Sequence, residues 1–116
     1  MSASREVIQG TLDLLVLASL RGGPMHGWGI SQRIRQQSKE AVLVTTGSLY
    51  PALHRLEQRR LVRAEWRASE NNRRARYYQL TVKGHRALGE ELEWWERFVA
   101  GVAGVTGTAG PAPGTV

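Results

Sequence analysis

Apolar and polar positions alternate with two different periods along the chain and predict a mixture of helices and strands. Residues 11–20 are apolar nearly all round, which predicts a helix that needs cover on more than one side. Residues 28–37 predict a weaker second helix, with Ile30 and Ile34 on one face. The short β-branched run at 41–45 is typical of one brief strand.

A third helix is predicted from the apolar stripe of Leu49, Leu53 and Leu56, which recur at spacings of four and three. Pro51 has no amide hydrogen and restricts Tyr50 before it, so it is tolerated only within about the first helical turn. We therefore expect this helix to begin between residues 46 and 48, with its leucines facing inward and its polar side free.

The next segments predict a β-hairpin followed by a long helix. Apolar positions 62, 64, 66 and 68 alternate with charged ones, so residues 61–68 predict a half-buried strand; residues 76–80 predict its partner, and the polar segment 69–74 predicts a charged turn. Thr81 is placed to cap a helix over residues 82–103, whose apolar positions recur every three or four residues, as in a helix that packs against another helix.

This order of elements is that of a winged helix-turn-helix, a mainly α (α+β) fold with a two-stranded wing. The domain division we expect is a DNA-binding domain at residues 1–81, a C-terminal dimerisation helix at 82–103 and a tail at 104–116. The tail is mostly Gly, Thr, Ala and Pro and is predicted to be disordered.

Positive charge is concentrated in one part of the chain. The formal net charge is +6, and residues 55–76 carry eight arginines against three glutamates. Such a local excess suits a polyanion such as double-stranded DNA, because cations that neutralise phosphates release condensed counterions. A solvated basic surface without a partner is the alternative.

Composition excludes several other classes of protein. The chain has no cysteine, so neither a disulfide framework nor a thiolate metal site is expected. His26 and His85 have no partners at metal-ligand spacing and are expected to cap or pack, and no catalytic triad or pair of catalytic carboxylates can be assembled. The sequence has no apolar run of about 20 residues and no signal peptide. We expect a cytoplasmic protein that is not an enzyme and holds neither cofactor nor metal.

Four segments carry a family resemblance: GTLDLLVLASL at 10–20, GPMHGWGI at 23–30, GSLYPALHRLE at 47–57 and RARYYQLT at 74–81. They resemble the PadR family of bacterial transcriptional regulators, over roughly residues 8–100. Trp28 stands where the family is expected to have tyrosine, and Asn71 and Asn72 stand where glycine is common at the wing tip. The chain resembles the short-tailed branch of the family, which lacks a larger C-terminal dimerisation region.

The resemblance implies a repressor that binds an inverted-repeat operator as a homodimer and is released by a small molecule. In such a fold the third helix enters the major groove, and arginines of the wing reach the minor groove or the phosphates. The candidate DNA-binding residues are Thr46, Ser48, Tyr50, Pro51, His54, Arg55, Arg73, Arg74 and Arg76. Three of them have structural alternatives: a salt bridge near Glu57 or Gln58 for Arg55, packing under the helix start for Tyr50, and solvation for His54.

The last helix and part of the first are expected to form the dimer interface. The predicted interface residues are Leu12, Leu15, Leu88, Leu92, Trp95 and Val99. The resemblance also places Trp95 where multidrug-responsive family members stack flat aromatic ligands. Trp94, Trp95 and Phe98 are therefore predicted to line an aromatic pocket between subunits that binds a small aromatic effector.

Two other functions would use the same fold. An interaction module would use the basic residues of the segment 55–76 to bind an acidic protein partner. A drug-sequestering protein would use only the aromatic residues of the last helix, Trp94, Trp95 and Phe98. The polar set on the free side of the third helix favours the DNA-binding regulator, since neither alternative needs groove-reading side chains there.

Overall fold

The computed structural model describes residues 2–108, with side chains described from Gly10 onward. The helices and strands follow in the order α1 Ser2–Ser19, β1 Met25–His26, α2 Gly27–Gln37, α3 Thr46–Gln58, β2 Val62–Ala68, β3 Arg74–Leu80 and α4 Val82–Thr106. A short 3-10 turn, Leu20–Gly22, follows α1. Within residues 2–108, no helix is long and apolar enough to cross a membrane.

The three strands form one antiparallel sheet in the order β1, β3, β2, so β3 is central. β2 and β3 make the hairpin, in which Val62 faces Leu80 and Ala68 faces Arg74. β1 adds a two-residue edge beside Tyr77 and Tyr78. Together with α1–α4 this is a winged helix-turn-helix of the α+β class, and the predicted fold is confirmed.

The core lies between the helices and the root of the hairpin. Among the side chains described from Gly10 to Thr108, it comprises sixteen buried hydrophobic residues: Leu12, Leu14, Val16, Leu17, Leu20, Ile30, Ile34, Leu49, Ala52, Leu53, Leu56, Leu61, Val62, Tyr78, Leu80 and Leu88. The three leucines of the α3 stripe are at most 1% exposed, as their spacing predicts. Because one side of α3 is fully packed, the opposite side is held outward on a rigid base.

The prediction of a strand at residues 41–45 is wrong. The segment is an irregular connection between α2 and α3, in which Val42 and Val44 pack partly against the core while Leu43 is 66% exposed. Its alternation therefore comes from two side chains that anchor a loop. The edge of the sheet is instead Met25–His26, which is too short to show any period in the sequence.

Two helices extend beyond their predicted bounds, and one contains a proline later than expected. α1 begins at Ser2, before the continuous apolar run that indicated it. α4 continues to Thr106, where Gly107 ends it at φ 75°, so residues 104–106 of the predicted tail are helical; residues 109–116 lie outside the described residues. Pro51 is the sixth residue of α3 and so belongs to its second turn, where it leaves the carbonyl of Gly47 without an amide partner.

The start of α4 is attached to the root of the hairpin by a close backbone approach. Thr81 caps the helix as predicted: its Oγ1 accepts the N–H of Gly84 at 2.9 Å and donates to the carbonyl of Arg60 at 2.7 Å. The N–H of Thr81 donates to the carbonyl of Leu61 at 3.1 Å. A Cβ at Gly84 would overlap that same carbonyl oxygen, so only glycine allows this approach.

Candidate nucleic-acid interface

The exposed side of α3 carries most of the predicted DNA-binding residues. Thr45 caps the helix, since its Oγ1 accepts the N–H of Ser48 at 3.3 Å. Five predicted residues of this helix are exposed: Thr46, Ser48, Tyr50, Pro51 and His54. The inward stripe of leucines thus leaves a continuous polar and aromatic surface on the other side of the helix.

Tyr50 combines the two roles that its sequence position allows. It is 47% exposed, yet its hydroxyl lies against the start of α2, where a Cβ added to Gly27 would be 2.6 Å away. The ring therefore packs on the backbone of Gly27 while one face remains open. A glycine at the start of α2 is what permits this approach.

Arg55, a predicted DNA-binding residue, is already paired within the chain. Its Nη2 donates to Oδ1 of Asp13 in α1 at 2.7 Å, and the two side chains are 35% and 21% exposed. The expected alternative was an ion pair near Glu57 or Gln58, and the partner is instead 42 residues away in the sequence. The pair joins α1 to the candidate recognition helix.

One face of the hairpin continues from the core into solvent. In the β2–β3 register, Val62 faces Leu80, Trp66 faces Arg76 and Ala68 faces Arg74, so these pairs share a face. The root of this face is buried, but Trp66 is 58% exposed because the hairpin extends beyond the core. The prediction of a half-buried strand is therefore correct for the first part of β2 and wrong for the rest.

The three wing arginines have different surroundings. Arg76 donates to Oε2 of Glu57 in α3 at 2.7 Å, which neutralises it and ties the hairpin to that helix. The guanidinium of Arg74 lies over the ring of Trp66 at 5.6 Å. Arg73 is at the turn and is exposed. Among the ion pairs of the described residues, none involves Arg73 or Arg74.

A groove of about 650 Å³ separates the hairpin from α2 and α3. Its lining combines cationic and aromatic side chains, namely His26, Trp28, Tyr50, Trp66, Arg73, Arg74, Arg76 and Tyr78, with Ser69, Asn71 and the single acid Glu70 at the tip. We call this the wing groove. Its charge and its position beside the open side of α3 suit a strand of nucleic acid.

The wing tip is tied to α2 through His26. Its Nδ1 accepts the N–H of Gly29 at 3.0 Å, which is the capping role predicted for it, and its Nε2 lies 3.4 Å from Oε1 of Glu70. Because Nδ1 accepts, the neutral ring carries its proton on Nε2 and donates to the carboxylate. A hydrogen bond from its own backbone N–H, and then the bond to His26, hold the pKa of Glu70 below its usual value. Burial raises the pKa of Tyr78, at the inner end of the groove, although Arg76 opposes the effect.

Two tryptophans of the wing groove were not among the predicted site residues. Trp28 is 63% and Trp66 58% exposed. Their sequence signals pointed elsewhere: Trp28 lies in an amphipathic helix, and Trp66 alternates as a core residue would. Only the reach of the hairpin beyond the core puts Trp66 into the groove.

The predicted ligand-binding residues do come together in a second hollow. Trp94 and Phe98 stack at 4.9 Å with their planes 11° apart, and Trp95 lies 5.9 Å from Phe98. With Glu91 and residues of α1 they line a hollow of about 530 Å³ between α1 and α4. We call this the aromatic hollow.

The predicted dimer residues separate into two groups. Leu12 and Leu88 are 8% and 3% exposed, so the chain's own core already buries them. Leu15, Leu92 and Trp95 pack partly against that core, and Val99 is half-buried. The large apolar side chains that the C-terminal half of α4 leaves open are Trp94, Phe98, Val102 and Val105, of which Val102 continues the spacing of the predicted seam. Leu12 and Leu88 are therefore core residues of this chain, and an interface formed by the other predicted residues stays a prediction.

Comparison with known proteins assigns this arrangement to a family. Residues 16–90 match the model of the transcriptional regulator PadR-like family. The chain belongs to the PadR-like family. It is also similar to the transcriptional regulator Rv3488 of Mycobacterium tuberculosis, with 35% identity over 100 residues that cover 86% of this chain and 90% of that protein. The predicted family is thus confirmed, and this PadR-like chain is placed in a family of transcriptional regulators.

Solved structures with the same fold include other PadR-like proteins. A transcriptional regulator from Clostridium thermocellum aligns with a TM-score of 0.75 and 29% identity, over 84% of this chain and 91% of that one. A PadR family transcriptional regulator from Eggerthella lenta aligns with a TM-score of 0.72 and 30% identity, over 93% and 92%. The match spans both the helix-turn-helix and α4 of this PadR-like chain.

Proposed function

We propose that this PadR-like chain is a sequence-specific DNA-binding repressor that acts as a homodimer on an inverted-repeat operator. The observation that carries the proposal is the packing of α3: its leucines are buried, and its polar side is open next to an arginine-lined groove. In the proposed complex the N-terminal half of α3 enters the major groove. Ser48 and His54 reach base edges or phosphates, and Arg73 and Arg74 of the wing hold the backbone.

Arg55 has a supporting part in this proposal. Its guanidinium pairs with Asp13 at 2.7 Å and does not line the wing groove, so we assign it to holding α1 against α3. Arg76 likewise fixes the hairpin to α3 through Glu57. The direct contacts are then assigned to side chains that have no such partner.

The homodimer is supported by the open apolar side of α4. Phe98 is 37%, Val102 43% and Val105 89% exposed, in a stripe that continues beyond the core of the chain. A second copy that lays its own α4 along this stripe would bury the same patch on both subunits, as a two-fold interface requires. Two recognition helices related in this way would fit half-sites about one helical turn, near 10 base pairs, apart.

Gel-shift titration on DNA from upstream of the gene, against a scrambled duplex, tests the proposal. A specific regulator should prefer its own upstream DNA by about 10³-fold or more. An affinity ratio near one would overturn sequence-specific regulation and favour a protein-interaction module. A footprint of two protected half-sites would support the dimer.

The wing contribution is tested by its salt dependence. Replacing Arg73 and Arg74 by alanine should reduce the slope of log K against log salt by about 1.8 per subunit, and so by about 3.6 for the homodimer, because each lost phosphate contact removes about 0.9. Arg67→Ala is the matched control, since Arg67 lies on the other face of the hairpin and pairs with Glu65 at 2.7 Å. If the double variant keeps the parental slope, the two arginines do not touch phosphates.

A second element of the proposal is release by a planar aromatic cation bound in the aromatic hollow. The stacked pair of Trp94 and Phe98 favours flat rings, and Glu91 in the lining favours a positive charge. Titration with ethidium in the absence of DNA should quench the fluorescence of Trp94 and Trp95, and W94F/W95F should abolish that response. An unchanged signal at saturating dye, with DNA binding intact, would overturn release by such a ligand. Tight dye binding with an upstream-to-scrambled ratio near one would favour a drug-sequestering protein.

A further inference from the structure

Trp28 and Trp66 are large apolar side chains left open in the wing groove. Trp28 is 63% and Trp66 58% exposed, although tryptophan ordinarily loses most of its surface to a core or an interface. They come from α2 and β2, which are far apart in the sequence, and line the same groove. An exposed pair of indoles in one concave surface indicates that something covers them.

The charges around Trp28 and Trp66 indicate which kind of ligand the wing groove suits. Arg73 and Arg74 line the groove without an ion pair among the described residues, while its single acid, Glu70, is held by His26. A cationic groove with two apolar rings suits a chain that alternates anionic and apolar parts, and the sugar–phosphate backbone of DNA does so. The groove is also continuous with the exposed side of α3 through Tyr50, so a DNA strand that follows α3 would pass through it.

Trp66 has a second connection to the bound strand. It shares a face of the hairpin with Arg74, whose guanidinium lies over the indole at 5.6 Å. A cation held over an aromatic face loses little freedom when it meets a phosphate. Trp66 is therefore placed both to touch the strand and to orient the arginine that neutralises it.

We propose that Trp28 and Trp66 are DNA-contacting residues, which grip one sugar–phosphate backbone between α2 and the wing, with Trp66 also positioning Arg74. The inference rests on the proposed DNA-binding function, but it concerns contacts that do not depend on base sequence. A random-sequence duplex at low salt therefore suffices as the probe, and the operator need not be known.

Fluorescence can isolate the two rings. The chain has four tryptophans, so the W94F/W95F variant retains only Trp28 and Trp66 as emitters. Duplex DNA should quench this variant and protect it from acrylamide. The same titration on W28F/W94F/W95F and on W66F/W94F/W95F should show that each remaining ring responds. A ring that does not respond while the duplex binds is not a DNA contact.

Affinity separates a contact from a purely structural role. Trp28→Ala should weaken duplex binding about fivefold with an unchanged salt slope, because it removes no charge. Trp66→Ala should weaken binding by a similar factor and lower the slope by up to about 0.9 per subunit, because Arg74 loses its position. Trp66→Phe retains an aromatic face and should restore the slope. Unchanged thermal unfolding of these variants is required as a control, and both rings are exposed enough to permit it.

The outcomes distinguish a failure of the two tryptophan contacts from a failure of the proposed DNA-binding function. If the fluorescence of Trp28 and Trp66 does not change and the alanine variants keep the parental affinity, while the parent still binds the duplex, the two rings do not contact DNA. The proposed regulatory function would be unaffected by that result. A response to single-stranded but not double-stranded DNA would overturn both, since a stacking groove for unpaired bases would then be the better description. Quenching of both rings by the duplex, with the expected slopes, supports the inference.

Discussion

Gly84→Ala should destabilise this protein strongly even though alanine is the better helix former. The added methyl group would overlap the carbonyl oxygen of Leu61 and lie 2.9 Å from its carbonyl carbon, and both atoms belong to backbone that cannot rotate away. Relief requires that the start of α4 move off the hairpin root. Such a movement lengthens the 3.1 Å bond from the Thr81 N–H to the same carbonyl and disturbs the Thr81 cap.

The magnitude follows from the opposing contributions. Alanine gains about 0.5–1 kcal/mol over glycine inside a helix. Overpacking against fixed backbone costs about 1–3 kcal/mol, and loss of a cap and of one hydrogen bond costs about 1 kcal/mol each. The net loss is about 2–4 kcal/mol, a large part of the 5–15 kcal/mol that stabilises a typical domain. At about 4 °C per kcal/mol, the melting temperature should fall by about 8–16 °C.

Gly89→Ala is the matched control because it lies in the same helix. A Cβ at Gly89 would meet nothing within 4 Å, so this change should stabilise by about 0.5–1 kcal/mol. Thermal and urea unfolding followed by circular dichroism, at one protein concentration because a dimer's stability depends on it, measures both. If Gly84→Ala proves as stable as Gly89→Ala, α4 does not rest on the Leu61 carbonyl and the attachment described here is incorrect.

Three further outcomes are expected. Arg55→Ala should lower the free energy of unfolding by about 1–2 kcal/mol because it leaves half-buried Asp13 unpaired. A double-mutant cycle with Asp13→Ala should give a coupling energy of roughly 1 kcal/mol. If the effects of the two substitutions are additive, the pair does not form. His26→Ala should cost about 1 kcal/mol through loss of the α2 cap, while His26→Asn should retain most of it, and equal losses would contradict the cap. The pKa of Glu70 is lowered, so its ionised form is preferred in the folded chain. Its stabilising contacts are therefore complete above the ordinary pKa of 4.5 and are lost as pH falls through the lower pKa of the folded chain. Carbon NMR of this carboxyl, in the parent and in His26→Ala, should show the titration midpoint move upward when the histidine is removed.

The spacing of apolar residues along the sequence was sufficient to predict the third helix and the hairpin, and a capping residue predicted the start of α4. The leucines at 49, 53 and 56 gave both the third helix and the side of it that is open. The alternation at 62–68 and the polar turn gave the hairpin, and Thr81 gave the start of α4. Each of these predictions depends on residues that are close together in the sequence. The period of a helix or a strand places such residues on one side of the element.

Long-range contacts were not predictable in the same way. Nothing near Arg55 in the sequence indicates Asp13, because that pair depends on the crossing of α1 and α3. Trp66 has the period of a core residue, and it is exposed only because the hairpin is longer than the core beneath it. Leu88 is a related case, since its spacing in α4 predicts an interface residue but the chain's own core buries it.

The pairing of charges explains how a chain of modest net charge can direct a strong field into one groove. Within residues 55–76 every glutamate has a basic partner: Glu57 pairs with Arg76 and Glu65 with Arg67, while Glu70 accepts a hydrogen bond from His26. These pairs fix the hairpin at its root and at its tip, and they neutralise charges that would otherwise spread over both faces. Arg73 and Arg74 remain as the groove-lining arginines outside those pairs, and the low-dielectric tryptophan rings beside them concentrate their field. By pairing with the other basic side chains, the three glutamates of residues 55–76 leave Arg73 and Arg74 as the arginines of the wing groove that are unpaired among the described residues.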